Sequence, residues 1–133
     1  MYAHILIGIA LDHEELVPRK LDLARAMLAD GGRITLMTVL EDVPGFVAEF
    51  VEMREENHLS AKVRKRIEAH APEGVTVEVG KGKPGVVLPN WAEANGVDLI
   101  VVGSHHPRAT DYFLGSTAAR IARRARCSVL IER

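Results

Sequence analysis

The sequence predicts an α/β protein built on a doubly wound parallel sheet with helices on both faces. Short β-rich runs alternate along the chain with stretches whose apolar residues recur at helical spacing, which is typical of parallel sheets with right-handed crossovers. Two runs, residues 3–11 and 98–103, are almost wholly apolar, as expected of parallel strands buried on both faces. A length of 133 residues fits one domain over residues 1–133.

Three further strands are predicted. Residues 33–40 and 128–132 are nearly continuous apolar runs, so they resemble the two strands above. Residues 75–80 instead alternate between apolar and polar side chains. This alternation indicates an edge strand with one wetter face.

Four helices are predicted between the strands. The first begins between Glu14 and Val17, because Pro18 then lies in the first turn, and it ends at residues 31–32, Gly-Gly. The third begins at Pro84, and the fourth follows Gly115. The residues expected to mark the inward faces are Leu16, Lys20, Leu21, Ala24, Met27 and Leu28; Leu59, Val63 and Ile67; Val87, Trp91 and Ala94; and Ala118, Ile121, Ala122 and Ala125.

The segment from Glu41 to Gly74 is longer than a simple crossover requires. Phe46, Phe50 and Met53 stand at helical spacing within it, which predicts an additional short helix. Such a helix either adds to the core or forms a flap over a ligand. We favour added core.

Composition excludes several classes of protein. A net charge of −1 gives no overall attraction to nucleic acid or anionic membranes. The basic cluster Lys62, Arg64, Lys65 and Arg66 is interpreted as a solvated helix face. One cysteine, no signal-peptide pattern and no apolar run of about 20 residues predict a cytoplasmic protein without a membrane span.

The loop from Gly103 to Thr117 joins a buried strand to the fourth helix. Ligands of doubly wound sheets bind beyond the carboxyl ends of the strands. Gly115, Ser116 and Thr117 would offer unpaired N–H groups, a helix dipole and two hydroxyls to a phosphate. The alternative is that Ser116 only caps the helix.

Other chemistries fit the loop less well. The sequence has neither the P-loop pattern nor a GxGxxG dinucleotide fingerprint after a strand. His105 and His106 are adjacent and lack further ligands at metal-binding spacing, so a metal site is not expected. Ser104 and His105, as sequence neighbours, do not form a nucleophile and base.

The loop and the residues after it resemble the universal stress proteins. The nucleotide-binding pattern of that family is Gly-x-x-Gly-x9-Gly-Ser/Thr between the fourth strand and the fourth helix. Gly103 matches its first glycine, residues 115–116 its last pair, and His106 occupies the place of the second glycine. The run VVGSHHPRATDYFLGSTAARIARRARCSVLI is similar to the short bacterial members, and the resemblance covers essentially the whole chain.

The resemblance implies a Rossmann-like sheet in the order 3-2-1-4-5, a homodimer and, as in many members, bound ATP. Magnesium would accompany the phosphates, and neither is expected to be required for folding. The backbone of Val39 would contact adenine, and Arg108 could close over the terminal phosphate. The full set of predicted nucleotide-binding residues is Ile9, Ala10, Asp12, Val39, Gly103, Ser104, His106, Arg108, Gly115, Ser116 and Thr117.

Two departures from the family pattern bear on nucleotide binding. The loop between His106 and Gly115 has eight residues, one fewer than the usual nine. The family places an aspartate directly after the first strand, whereas this chain has Ala10 there and Asp12 two residues later. A carboxylate that contacts the base and ribose is therefore missing, or Asp12 reaches in from the turn.

Two functions from different classes follow. The first is an ATP-binding regulatory protein with at most slow ATP hydrolysis or autophosphorylation, because no residue is placed as a general base. The second is a nucleotide-free homodimeric interaction module, which Ala10 favours. In the implied order the last strand is an edge, so dimerisation is expected through Val129, Leu130 and Ile131. A phospho-acceptor receiver domain is disfavoured, because no lysine follows Lys83.

Overall fold

The computed structural model describes residues 1–41, 53–104 and 114–133, without the side chains of residues 53–58. These residues form a five-stranded parallel sheet in the order β3-β2-β1-β4-β5. Its strands are β1 (Tyr2–Gly8), β2 (Leu28–Leu40), β3 (Val75–Lys81), β4 (Leu99–Gly103) and β5 (Ser128–Glu132). The helices are α1 (Val17–Met27), α2 (Met53–Glu68), α3 (Pro84–Ala94) and α4 (Ser116–Arg124), with a 3-10 helix at Leu11–Leu16. The predicted fold class and strand order are confirmed.

The sheet separates two apolar layers. Successive side chains of a strand point to opposite faces, so Ile5 and Ile7 of β1 face one layer and Leu6 faces the other. The first layer is covered by α1 and α2, and the second by α3 and α4. The largest members of the two layers that are fully buried are Ile5, Ile7, Val17, Leu36, Ile67 and Val101 in the first, and Leu6, Met37, Ile100 and Ile121 in the second.

Three predicted boundaries in the first β-α-β unit are wrong. The helix α1 ends at Met27 and not at residues 31–32, and β2 begins at Leu28 and not at residue 33, because Leu28 already pairs with Tyr2 of β1. The ladder then shifts register, since the next pair joins His4 to Arg33, and Gly31 lies between at φ +74°. At the other end, β1 stops at Gly8 instead of Leu11, where the 3-10 helix begins.

The helical stripes are partly confirmed. Val63 and Ile67 of α2 are buried, but Leu59 is 53% exposed. Ala94, the last residue of α3, and Ala122 of α4 are also exposed, contrary to the prediction. Apolar spacing identifies a helix face, but it does not show how far along the helix that face stays in contact with the sheet.

The long connection after β2 is described only from Met53, which begins α2. Phe46 and Phe50 of the predicted short helix lie outside the described residues. The basic cluster on α2 is exposed, and part of it is used within the chain: Arg64 Nη1 donates to the Val77 carbonyl at 2.6 Å, and Arg66 pairs with Glu14. Of the described helices, none combines the length and the apolar character needed to cross a membrane.

Candidate functional site

A cavity of about 290 Å³ lies at the carboxyl ends of β1, β2 and β4, beside the first turns of α3 and α4. This volume is at the lower limit of the ~300–1,000 Å³ common for small-molecule sites. Six of the residues predicted from the sequence line it together: Ile9, Ala10, Asp12, Val39, Gly103 and Thr117. Doubly wound sheets bind ligands at the point where the strand order reverses. In this sheet that point lies between β1 and β4, because β2 and β3 follow on one side of β1 and β5 follows on the far side of β4.

The rim over β1 is a tight turn anchored to the neighbouring strand. Ile9 N donates to the Met37 carbonyl at 3.0 Å, and His13 N donates to the Ala10 carbonyl at 2.9 Å. These bonds hold the backbone of residues 9–13 across the cavity mouth. The Asp12 side chain is 83% exposed and lies 3.7 Å from His13 Nε2, so its carboxylate stays hydrated at the rim.

The N-terminus of α4 forms the opposite end. Gly115 is the N-cap residue at φ −55° and ψ 149°, and no side chain caps the helix. Ser116 is the first helical residue, so the alternative in which it merely caps the helix is wrong. The first intrahelical bond runs from Ala119 N to the Gly115 carbonyl at 2.9 Å, and the preceding N–H groups have no acceptor within the helix. This end of the cavity therefore favours an anion.

The remaining predicted residues are placed less directly. Among described residues the lining does not include Ser104, Gly115 or Ser116, although Ser104 follows Gly103 and Ser116 precedes Thr117. Ser104 N donates to the Glu132 carbonyl at 3.0 Å, which fixes the start of the loop on β5. His106 and Arg108 lie outside the described residues.

Sequence reasoning missed much of the lining. Met37, Leu88, Val102 and Ile121 give the cavity an apolar floor between the sheet and helices α3 and α4. Glu41, directly after β2, contributes a second carboxylate at the rim. The strand order implied by the resemblance already indicates this position, because it brings the carboxyl ends of β1 and β2 together at one edge.

The described lining contains two ionisable side chains, Asp12 and Glu41, and one hydroxyl, that of Thr117. A carboxylate accepts hydrogen bonds from ligand hydroxyl or amino groups, whereas the apolar floor suits a flat, uncharged ring. Within the part of the chain that is described, no group of three His, Cys, Asp or Glu side chains could hold a metal ion. The arrangement suits a ligand with an apolar ring, hydroxyl groups and an anionic end.

Comparisons with known proteins agree with this architecture. The family model described as the universal stress protein family matches residues 1–133. The chain belongs to the universal stress protein family. Universal stress protein G of Shigella flexneri is 28% identical over 147 aligned positions that cover 100% of both chains.

Solved universal stress proteins share the fold. One crystallised in complex with cAMP has a TM-score of 0.64 at 22% identity and covers 99% of this chain and 97% of its own. Another, from Archaeoglobus fulgidus in complex with dAMP, has a TM-score of 0.58 at 18% identity and covers 99% and 98%. In the present chain Ala10 lines the cavity at the position where the sequence resemblance leads us to expect an aspartate.

Proposed function

We propose that this universal stress protein binds ATP in the cavity at the carboxyl ends of β1 and β4, and that occupancy sets its conformation or its choice of partner. The observation that carries the proposal is the convergence of the apolar floor, the Asp12 rim and the uncapped N-terminus of α4 on one cavity. Two structurally similar members were crystallised with adenine nucleotides, cAMP and dAMP, which supports an adenine ligand.

Each part of the nucleotide has a matching surface. Adenine would lie against Met37, Leu88 and Val102, with Val39 at the strand end offering backbone groups to its edge. The ribose hydroxyls would donate to Asp12 or Glu41. The phosphates would meet the free N–H groups of α4 and the Thr117 hydroxyl, where charge-assisted hydrogen bonds are strongest.

Magnesium fits this site as a companion of the phosphates. Its preferred ligands are oxygens, and it usually keeps several waters while it binds one or two carboxylates and substrate phosphates. When bound, magnesium would neutralise part of the phosphate charge. The side-chain oxygens of the described lining that such an ion would meet are the Thr117 hydroxyl at the phosphate end and the Asp12 and Glu41 carboxylates at the rim.

The proposal is for a regulator and not for a fast enzyme. Of the ionisable groups that line the cavity among described residues, Asp12 and Glu41 are exposed, so neither is placed as an activated general base. Hydrolysis or autophosphorylation at Ser116 or Thr117 would be slow. We also propose a cytoplasmic homodimer that pairs through β5, because this apolar edge strand has no partner beyond it in the described sheet.

A nucleotide-free interaction module is the second candidate. Ala10 favours it, because Ala10 lines the cavity at the position where the family pattern has an aspartate. The described lining also contains no cation, so the phosphates would rely on backbone N–H groups and Thr117. In this case the β5 edge, and not the cavity, would be the functional surface.

Calorimetry with millimolar ATP and magnesium, together with mass spectrometry of small molecules released from the purified protein, tests the proposal. We expect measurable heat or co-purified nucleotide. Gly115→Val should abolish binding, because a side chain at the N-cap of α4 would obstruct the proposed phosphate position, while the backbone angles of Gly115 are accessible to valine. Ala122→Val, on the exposed face of the same helix, is the control and should bind normally. Absence of both heat and carried nucleotide would support the interaction module.

A further inference from the structure

The carboxylate of Glu132, the last residue of β5, forms ion pairs with two cationic side chains of α1. Lys20 Nζ lies 3.2 Å from Oε1, and Arg19 Nε lies 3.0 Å from Oε2. The two cations differ in environment, since the Lys20 side chain is 3% exposed and that of Arg19 is 71% exposed. A buried ammonium is costly unless it is paired, so Lys20 depends on Glu132 far more than Arg19 does.

The same glutamate is bonded to the loop of the candidate site. Its backbone carbonyl accepts the hydrogen bond from Ser104 N at 3.0 Å, and Glu132 is paired in register with Gly103, which lines the cavity. A Cβ on Gly103 would lie 3.3 Å from Lys20 Nζ, so the ammonium is packed against that glycine. Gly103, Glu132 and Lys20 therefore form one junction behind the cavity.

Burial alone would raise the pKa of Glu132. The hydrogen bonds from Lys20 and Arg19, reinforced by their charges, outweigh this effect and lower the pKa below its ordinary value. The carboxylate thus stays ionised at neutral pH. The ion pair between Glu132 and Lys20 is therefore present at neutral pH, and both of its side chains are largely enclosed by the protein.

We propose that Lys20 is a positioning residue for nucleotide binding, acting through Glu132 on the backbone of Gly103 and Ser104. The proposal rests on the proposed function, because it assigns Lys20 to the same site. Gly103 and Ser104 are already held by β5, so their backbone does not have to be ordered when ligand binds, and this saving appears as affinity. Sequence patterns give no hint of this role, because Lys20 lies on α1, distant in sequence from the loop.

Two substitutions on α1 separate the buried cation from the exposed one. Lys20→Met keeps the length of the side chain and removes the ammonium, while Arg19→Met does the same at the exposed partner of the same carboxylate. We expect Lys20→Met to weaken ATP binding about tenfold or more, since buried pairs are strongly disrupted when one partner is lost. Arg19→Met should change affinity less than about twofold, as is usual for exposed ion pairs. Equal effects of the two substitutions would overturn the proposal.

Amide hydrogen exchange distinguishes positioning of the loop from a general contribution of Lys20 to stability. Ser104 N and Ile9 N both donate to backbone carbonyls at the cavity, at 3.0 Å each. Lys20→Met should speed exchange at Ser104 more than at Ile9 in the nucleotide-free protein, because only the first bond depends on Glu132. Parallel acceleration at both amides would mean general destabilisation and would refute positioning.

A second variant keeps the test decisive if Lys20→Met fails to fold. Glu132→Gln retains the size of the side chain and an acceptor for Lys20, and it should likewise weaken ATP binding and speed exchange at Ser104 selectively. If the natural chain binds no ATP, the proposed function fails on its own. The ratio of Ser104 to Ile9 exchange, measured without nucleotide, still decides whether Lys20 positions the loop.

Discussion

His4 Nε2 and Thr35 Oγ1 lie 2.8 Å apart inside the sheet, and this contact joins β1 to β2 through side chains as well as backbone. His4 Nδ1 is 3.1 Å from the carbonyl oxygen of Asn95, which can only accept, so Nδ1 carries the proton and Nε2 accepts from the threonine. Thr76 Oγ1, 2.9 Å from Thr35 Oγ1, extends the chain of hydroxyls to the edge strand β3.

This network predicts loss of stability in acid. Burial lowers the pKa of His4 and Arg33 adds to that effect, which outweighs the opposing influence of the Asn95 carbonyl and Asp98. The unfolded chain takes up a proton near pH ~6.5 while the folded chain stays neutral, so the unfolding free energy falls as pH drops below that value. The contribution of His4 is at most about 1.4 kcal/mol per pH unit.

Urea unfolding at several pH values between 7 and 5 measures the contribution of His4 to the unfolding free energy. His4→Gln should show a smaller fall in unfolding free energy than the natural chain over this range. Identical slopes for the two proteins would mean that His4 is not the group that titrates.

The exposure of Leu59 predicts a contrast along α2. Ile67 is fully buried, so Ile67→Ala should lower the unfolding free energy by about 2–5 kcal/mol. Leu59, at 53% exposed, belongs to the same apolar stripe, yet Leu59→Ala should cost less than about 1 kcal/mol. Chemical unfolding of the two variants checks this. Comparable losses would restore the predicted core role of Leu59.

Thr38 offers a stabilising substitution. Its Oγ1 is buried and has no hydrogen-bond partner among the described residues. Thr38→Val keeps the shape and removes the unpaired hydroxyl, so we expect stability to rise by about 1 kcal/mol. Thermal unfolding measures the change. A loss of stability would contradict the view that this hydroxyl is unpaired.

Assembly through β5 predicts a change in mass. Val129→Lys places a charge in the proposed interface and should convert the dimer to a monomer at tens of micromolar, as measured by light scattering. Val79→Lys, at a half-buried position on the opposite edge strand β3, is the matched control and should leave the mass unchanged. A natural chain that is already monomeric would rule the interface out.

The absence of a carboxylate at residue 10 predicts a gain of function. Ala10 lines the cavity, so Ala10→Asp should strengthen ATP binding several-fold by adding an acceptor for the base or ribose. Asp12→Asn should weaken it, because the amide is a poorer acceptor than the carboxylate. Calorimetry on both variants gives the answer. If neither variant changes the affinity for ATP, the ligand does not contact the cavity rim at residues 10 and 12.

Local chemistry was enough to predict much of the fold. β5 has the expected bounds, and α3 begins at Pro84 as expected, because continuous apolar runs and a proline in the first turn are local signals. The end of α1 was not predictable in this way. Leu28 fits a helical stripe equally well, and its pairing with Tyr2 depends on a strand distant in sequence.

The part of the candidate site that lies at strand ends and in the loops after them could be predicted from the sequence. Asp12, Val39 and Gly103 follow or end strands, so topology brings them together. Leu88 is not predictable from the sequence, because its place in the cavity depends on how α3 packs. Glu41 is indicated by the predicted strand order, since it follows β2, but no motif singles it out. Helical spacing predicts Lys20 on the inward face of α1, but its pairing with Glu132 follows only from the packing of α1 against β5.

The central position of β1 also governs the order in which the sheet can form. Ala3 N donates to Asp98 Oδ2 across 95 residues of chain, and β4 must be present before the second edge of β1 is covered. A nascent chain that has completed β1, β2 and β3 therefore holds Ile5, Leu6 and Ile7 on an open edge. Such edges attract other chains. During synthesis, β1, the central strand of the finished sheet, is therefore an edge strand for a time. The chain is most prone to aggregation before β4 has emerged from the ribosome.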